Sequence, residues 1–163
     1  PRGIKGERVM NDLIITRTSD IPALMSWRME VLHCVFSLPE TTDTAELERS
    51  NRDYYERHLA DGSHIACIVS IEGDGNVGCG GICLYDEMPS PDNKNGHCAY
   101  LMNIYVKEKF RGRGIAKRMV RWLVGQALAR GITKIYLETS DAGRKLYGEM
   151  GFCYMKDMMK LEL

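Results

Sequence analysis

The chain has no surplus of either charge: 22 Lys and Arg stand against 22 Asp and Glu in 163 residues. That balance removes any general argument for binding a polyanion such as nucleic acid. No apolar run approaches the ~20 residues that a membrane-spanning helix needs, and nothing at the start has the build of a signal peptide. The six cysteines, at positions 34, 67, 79, 83, 98 and 153, form no CxxC pair and no ligand quartet with finger-like spacing, so no metal is expected. Set among apolar neighbours, they read as buried free thiols in a reducing, cytoplasmic setting. There is no internal repeat, low-complexity tract or interdomain linker. The length suits one well-buried core, so residues 10–163 read as a single domain. Residues 1–9, PRGIKGERV, read as an N-terminal extension, disordered or added to the native chain.

What is present is a clear alternation of elements. DLIITR (12–17) is a short strand rich in β-branched residues. A helix follows, with Ser19 or Asp20 as cap, Pro22 in its first turn, and Leu24, Trp27, Val31, Leu32 and Val35 at helical spacing. A second, more polar helix opens at Asp43 and runs to about Leu59. HIACIVSIEGDGNVGCGGICLYDE reads as strand, turn, strand. After a loop over 88–96 come an apolar strand (97–106), a helix (114–130), the strand KIYLETS, a short helix ending at Gly151, and a last strand in FCYMKDMMKLEL. This order gives an α/β fold, a mixed sheet with helices on its faces.

One motif is a decoy. Gly73 to Gly78, GDGNVG, matches the dinucleotide-binding GxGxxG literally, but that fingerprint needs a helix after it. Gly80-Gly81 follows and cannot open an ordinary helix, so the segment reads as a glycine-rich hairpin.

The informative stretch is FRGRGIAKRM, at the junction of a strand and a helix. Cations are unfavourable at a helix N-terminus, where the macrodipole is already positive, unless an anion sits there. Backbone N–H groups converge on an anion in this geometry, and Gly112 and Gly114 remove the Cβ atoms that would hold a phosphate away. Arg111, Arg113 and Lys117 or Arg118 add matching charge. The spacing is not that of a Walker loop, and no carboxylate pair for magnesium is evident. A pyrophosphate held by amides without metal suits a carrier molecule. The charge is also divided along the chain: 14 acids against 5 bases from Asp20 to Tyr100, and 13 bases against 6 acids thereafter.

The run Arg111-Gly112-Arg113-Gly114-Ile115-Ala116 resembles the signature of the GNAT family of acetyl-CoA-dependent N-acetyltransferases: Gln or Arg, two free positions, Gly, one free position, Gly or Ala. LMNIYV before it and DAGRKLYGEMGF after it resemble that family's neighbouring segments in the right order. The resemblance implies a mostly antiparallel sheet of six to seven strands, splayed between strands 99–106 and 134–139. It implies acetyl-CoA as cosubstrate, its pyrophosphate on the Arg111–Ala116 turn and its pantetheine arm along main-chain groups near Ile104 and Val106. Tyr147 takes the place of the family's general acid, a role its chemistry suits, since a phenol is protonated at neutral pH and can donate to a departing thiolate. Ser140 stands where the family often has Asn, and Gly143 where it often has Ala. Ser140 can cap its helix and is retained as a candidate coenzyme A contact.

The acceptor amine must lose a proton before it attacks. Tyr100 occupies the position of the glutamate that some relatives use for this. Glu138, at the end of the adjacent strand, is the first candidate base, with His97, Glu30 and a water chain as alternatives. Asn103, expected on the sheet face opposite Met102, is a candidate substrate contact, as is Glu30. Acids at Glu30, Asp86, Glu87 and Asp92 suit a small cationic amine or a peptide N-terminus. The resulting expectation is direct acetyl transfer to a primary amine, against the alternative of a catalytically silent acyl-CoA-binding or partner-binding module. A nucleic-acid module built on the seven cations from Lys107 to Arg121 is disfavoured: they crowd the first turns and have no interleaved aromatics. A homodimer is common in this architecture, though no residue here specifies an interface.

Overall fold

The computed structural model describes residues 12–162, and the extension expected over residues 1–9 lies outside them. The elements run β1 (Leu13–Thr18), α1 (Ile21–Phe36), α2 (Ala45–Ala60), β2 (His64–Ile71), β3 (Gly75–Asp86), β4 (His97–Val106), α3 (Ile115–Leu128), β5 (Lys134–Leu137) and α4 (Asp141–Glu149), with a 3-10 turn, Glu108–Phe110, ahead of α3. The strands lie in sequence order, antiparallel except for the parallel pair β4–β5. Among the described residues no helix is long and apolar enough to cross a membrane.

Local chemistry explains most of these boundaries. The Asp20 side chain accepts from the Ala23 N–H at 3.1 Å, and Pro22 occupies the first turn, so α1 starts where the sequence places it. Its buried residues are Leu24, Met25, Trp27, Val31 and Leu32; Val35, read as part of the stripe, is exposed as the helix ends. GDGNVG is part of a hairpin that reverses at residues 72–74, with no helix after it.

The glycines after that hairpin answer to packing. A Cβ on Gly80 would sit 2.9 Å from Met119 Sδ and 3.1 Å from Leu123 Cδ1, both on α3. On the other face, a Cβ on Gly81 would lie 2.7 Å from His64 Nε2. Without side chains there, β3 admits α3 on one side and the His64 ring on the other. The main core lies on the α3 side, where Met119, Val120 and Leu123 are wholly buried against β-strand residues such as Ile65, Val69 and Ile82. Each such side chain contributes roughly 1.5–3 kcal/mol by leaving water. Two smaller clusters lie beneath α1 and α2, around Leu24, Met25 and Tyr55 and around Trp27, Val31 and Cys79.

Among the described residues the sheet has five strands, not six to seven. In FCYMKDMMKLEL, expected as a strand, the described residues 152–162 form no ladder, and residues 153–162 are exposed. Only its final Lys-Leu-Glu-Leu alternates, and β5 offers just four residues, Lys134–Leu137, as an edge to pair with. The thiols also differ from expectation. Cys67, Cys79 and Cys98 are buried, whereas Cys34, at the end of α1, and Cys153, in the C-terminal segment, are exposed.

His64 gives a test of this packing. Burial drives its pKa down from 6.5 to about 4, and the Tyr54 hydroxyl lies 3.1 Å from its Nδ1. A histidine whose folded pKa is depressed takes up a proton more readily when unfolded, so its stabilising effect is full above pH 6.5 and is lost as pH falls toward 4. We predict that the protein is about 2 kcal/mol less stable to urea at pH 5 than at pH 7 on this account. His64→Asn should remove most of that difference; an unchanged pH dependence in the variant would show that His64 is not its source.

Candidate active site

The β4–β5 ladder runs from Cys98↔Lys134 to Leu101↔Leu137 and stops there, while β4 continues to Val106 on β3. The gap so opened is shaped by a bulge. Cys79 pairs with Tyr105 and Gly81 with Met102, so β4 carries one more residue than β3 across this interval. Asn103 lies within it at φ 57°, a left-handed conformation that Asn tolerates better than most residues. The extra residue resets the side-chain alternation. Met102, Asn103 and Tyr105 all meet partners on the α1–α2 side, and Ile104 turns to α3. Asn103 therefore shares a face with Met102, contrary to the simple period-two reading.

At the far end of β4 the chain makes the 3-10 turn and enters α3 through Gly112 and Gly114, at φ 73° and 75°. Nothing lies within 4 Å of where a Cβ would stand on either glycine. The first helical bond of α3 runs from the Arg118 N–H to the Gly114 carbonyl at 3.1 Å, which leaves the N–H groups of Ile115, Ala116 and Lys117 directed off the helix end. The arginines fold back beside this turn. Arg111 Nε donates to the Val106 carbonyl at 2.9 Å with its guanidinium over the Tyr105 ring, and Arg113 donates to the Lys109 carbonyl. Lys117 pairs with Glu149 at 3.3 Å, tying the start of α3 to the end of α4.

Tyr147 projects from α4 into the main core, edge-on to Phe152. It is buried, and that burial raises the pKa of its phenol. No hydrogen bond to its hydroxyl is found among the described residues, and the hydroxyl is not one of the buried unpartnered atoms, so the ring is packed and its oxygen reaches the surface. A Cβ on Gly143 would meet Thr139 Oγ1, which would have to turn aside, and come 3.2 Å from Tyr147 Cε2, so the helix start packs tightly here. Ser140 stands at the N-cap of α4 but its side chain makes no capping bond.

Glu138 follows β5 directly and is exposed. Across the mouth of the gap, burial and then the Glu138 carboxylate raise the Tyr100 phenol above its usual value. Glu30 approaches Tyr105, whose phenol is pushed up to about 12 by burial, with Glu30 and Cys34 adding to the shift. The other acids read as acceptor lining are elsewhere. Glu87 and Asp92 pair with Lys134, and Asp86 with His97 Nδ1 at 2.6 Å, at the opposite end of β4 from the glycine turn. A recess of about 290 Å³ between Tyr85, Asp86, His97 and Arg130 lies at that remote end too. Asp86, Glu87 and Asp92 therefore do not line the gap, and His97 lies away from it.

Arg28 is a site residue absent from the candidates above. Its Nε donates to Asn51 Oδ1 at 2.8 Å and its Nη1 to Asn103 Oδ1 at 3.0 Å, joining α1, α2 and the bulge. The signal was available, since Arg28 falls four residues after Leu24 and three before Val31 and so lies on the inward face of α1.

The chain is similar to known proteins over most of its length. A predicted acetyltransferase from Clostridium acetobutylicum, crystallised with acetyl-CoA, superposes with a TM-score of 0.81 at 28% identity, over 92% of this chain and 96% of that one. A GCN5-related N-acetyltransferase from Ralstonia eutropha JMP134 shares the fold at a TM-score of 0.76 and 22% identity, over 92% and 98% of the two chains. The glucosamine 6-phosphate N-acetyltransferase of Arabidopsis thaliana is 23% identical over 105 residues, 64% of this chain and 68% of that protein. A model of the acetyltransferase (GNAT) family matches residues 25–152, which include the bulge, the glycine turn and Tyr147, and the chain belongs to that family.

Proposed function

We propose that the protein transfers an acetyl group from acetyl-CoA to the nitrogen of a primary amine by direct attack. The observation that carries this is one juxtaposition: an amide-lined glycine turn at the start of α3 and an open-ended β4–β5 gap, with Tyr147 on the helix that Lys117 and Glu149 tie to that turn. The fit to acetyl-CoA rests on the turn itself, where backbone donors and a helix N-terminus meet open space at both glycines. The similar Clostridium protein was crystallised with the same thioester.

Acetyl-CoA supplies an activated acyl group, whose C–S bond breaks as the C–N bond forms. The chain's residues position and move protons around that exchange. The amides of the Arg111–Ala116 turn hold the pyrophosphate, and β4 beyond Leu101, through Ile104 and Val106, flanks the pantetheine arm. Ser140, at the start of α4, lies toward the same arm. Tyr147 donates its phenolic proton toward the departing sulfur. Glu138, beside Tyr100, accepts the proton that the amine sheds. The acceptor is a small molecule or a peptide N-terminus that enters on the α1–α2 side, past Glu30 and Asn103. With the acids of 86–92 engaged far from the gap, the case for a cationic acceptor loses three of its four residues.

The deciding experiment incubates the purified protein with acetyl-CoA and a panel of primary amines and follows acetylated product by mass. A direct thiol stain is confounded by the exposed Cys34 and Cys153. Amine-dependent product is the expected result. Calorimetric binding of acetyl-CoA with no product from any amine would instead make the protein a silent acyl-CoA binder, and absence of binding heat would defeat the proposal outright.

A further inference from the structure

Arg28 is a half-buried cation without a paired carboxylate, although Glu30 acts on one of the same neighbours, Cys79. A guanidinium carries five N–H donors in a fixed fork. Nε and one N–H of Nη1 are used, both on neutral amide oxygens, those of Asn51 and Asn103. Among the described residues no carboxylate lies within ion-pairing distance of it. The titratable groups that feel its charge are Tyr54, Tyr55, His64 and Cys79. All four are neutral at pH 7: burial raises the two phenols and the thiol, and lowers His64 to about 4.

Arg28 Nη2 has no hydrogen-bond partner among the described residues and is not one of the buried unpartnered atoms, so it reaches solvent with its donors open to an anion. The two contacts to Asn51 and Asn103 explain where the side chain points, but both oxygens are neutral and do not account for its charge. The position supplies the reason. Asn103 lies in the bulge two residues past Leu101, where the β4–β5 ladder ends. The Asn103 contact thus brings the Arg28 guanidinium to the bulge beside the gap, on the face opposite α3, the side proposed for acceptor entry.

We infer that Arg28 receives an oxyanion, carboxylate or phosphate, carried by the acceptor near its reacting amine. This rests on the acetyltransferase reading and narrows it: the substrate class is an amine bearing an acidic group, not a polyamine. The planar fork suits two-point binding of such an oxyanion, and its weakly polar surroundings strengthen the pair. Asn51 and Asn103 hold the guanidinium so that little side-chain freedom is lost on binding.

The test uses the full chain and matched acceptors that differ only in the anion: L-alanine against L-alaninamide for the carboxylate, and glucosamine 6-phosphate against glucosamine for the phosphate. In the wild type at least one anionic member should exceed its neutral partner in kcat/KM. Arg28→Gln should lower that member by roughly 10–100-fold, mostly through KM. The neutral partners should fall by a clearly smaller factor, and acetyl-CoA affinity should be retained. Because alaninamide is the weaker base, that pair is read as the ratio of variant to wild type. Arg28→Lys, which keeps the charge and loses the fork, should fall between the two and guards against a glutamine variant that folds poorly. The inference is overturned if neutral acceptors are preferred, if Arg28→Gln lowers both members of a pair alike, or if no anionic member binds or reacts. Acetyl-CoA binding heat measured on the same samples separates these outcomes from failure of the acetyltransferase reading itself.

Discussion

Tyr147→Phe slows turnover by about a hundredfold or more, with acetyl-CoA affinity within about twofold of wild type. The substitution removes one oxygen and leaves the ring, so the edge-on contact with Phe152 and the packing against the main core persist. Thermal unfolding should therefore hardly move, and a loss of rate cannot be assigned to collapse of α4. The pH profile supplies a second readout. Burial holds the Tyr147 phenol above its ordinary value of 10, so it remains a proton donor across the whole neutral range. Its deprotonation should appear as a fall in kcat only above pH 10, and that alkaline limb should vanish in the variant. A coenzyme A thiol titrates nearer 8.5, so the phenol acts on the sulfur late, as negative charge develops, rather than by handing over a proton beforehand. Equal turnover in the two proteins would remove Tyr147 from the mechanism.

The parts of this site that were legible in the sequence are those encoded by neighbours along the chain. Asp20 and Pro22 announce α1, and the hairpin at 72–74 is announced by its glycines. Gly112 and Gly114 mark a turn whose positive φ angles few other residues would accept. What was not legible depends on pairings between distant segments. The bulge at Asn103 exists only relative to β3, where three steps along β4 meet two, and it moves Asn103 to the other face of the sheet. The acids at Glu87 and Asp92 suit an acceptor lining by type, but Lys134, more than forty residues on, pairs with both. The apolar residues of the C-terminal segment read as a strand, yet a strand also needs an edge of sufficient length, and β5 has four residues. Arg28 could have been noticed as a cation within an apolar stripe, but its two amide partners come from α2 and β4.

Gly114→Val should weaken acetyl-CoA binding by about a hundredfold or more, the loss expected when one or two hydrogen bonds to a charged phosphate are broken. A β-branched residue at φ 75° is disfavoured by roughly 1–2 kcal/mol or more, because its Cβ crowds the backbone in the left-handed region. The turn escapes that strain by rotating, and rotation swings the neighbouring amides away from their common focus. Strain alone lowers stability, so the measurement needs a partner substitution with the same backbone penalty in a different place. Gly62 meets the requirement, with φ 77° and no atom within 4 Å of its would-be Cβ, in the loop ahead of β2. Strand register places that loop near Cys83 and Tyr100, away from the end of β4 that leads into the glycine turn. Gly62→Val and Gly114→Val should each lower the unfolding temperature by several degrees, while calorimetry should detect weakened acetyl-CoA binding in Gly114→Val alone. If both variants bind the thioester as wild type does, the anion is not held by this turn, and the roles given to α3, the gap and Tyr147 lose their common anchor.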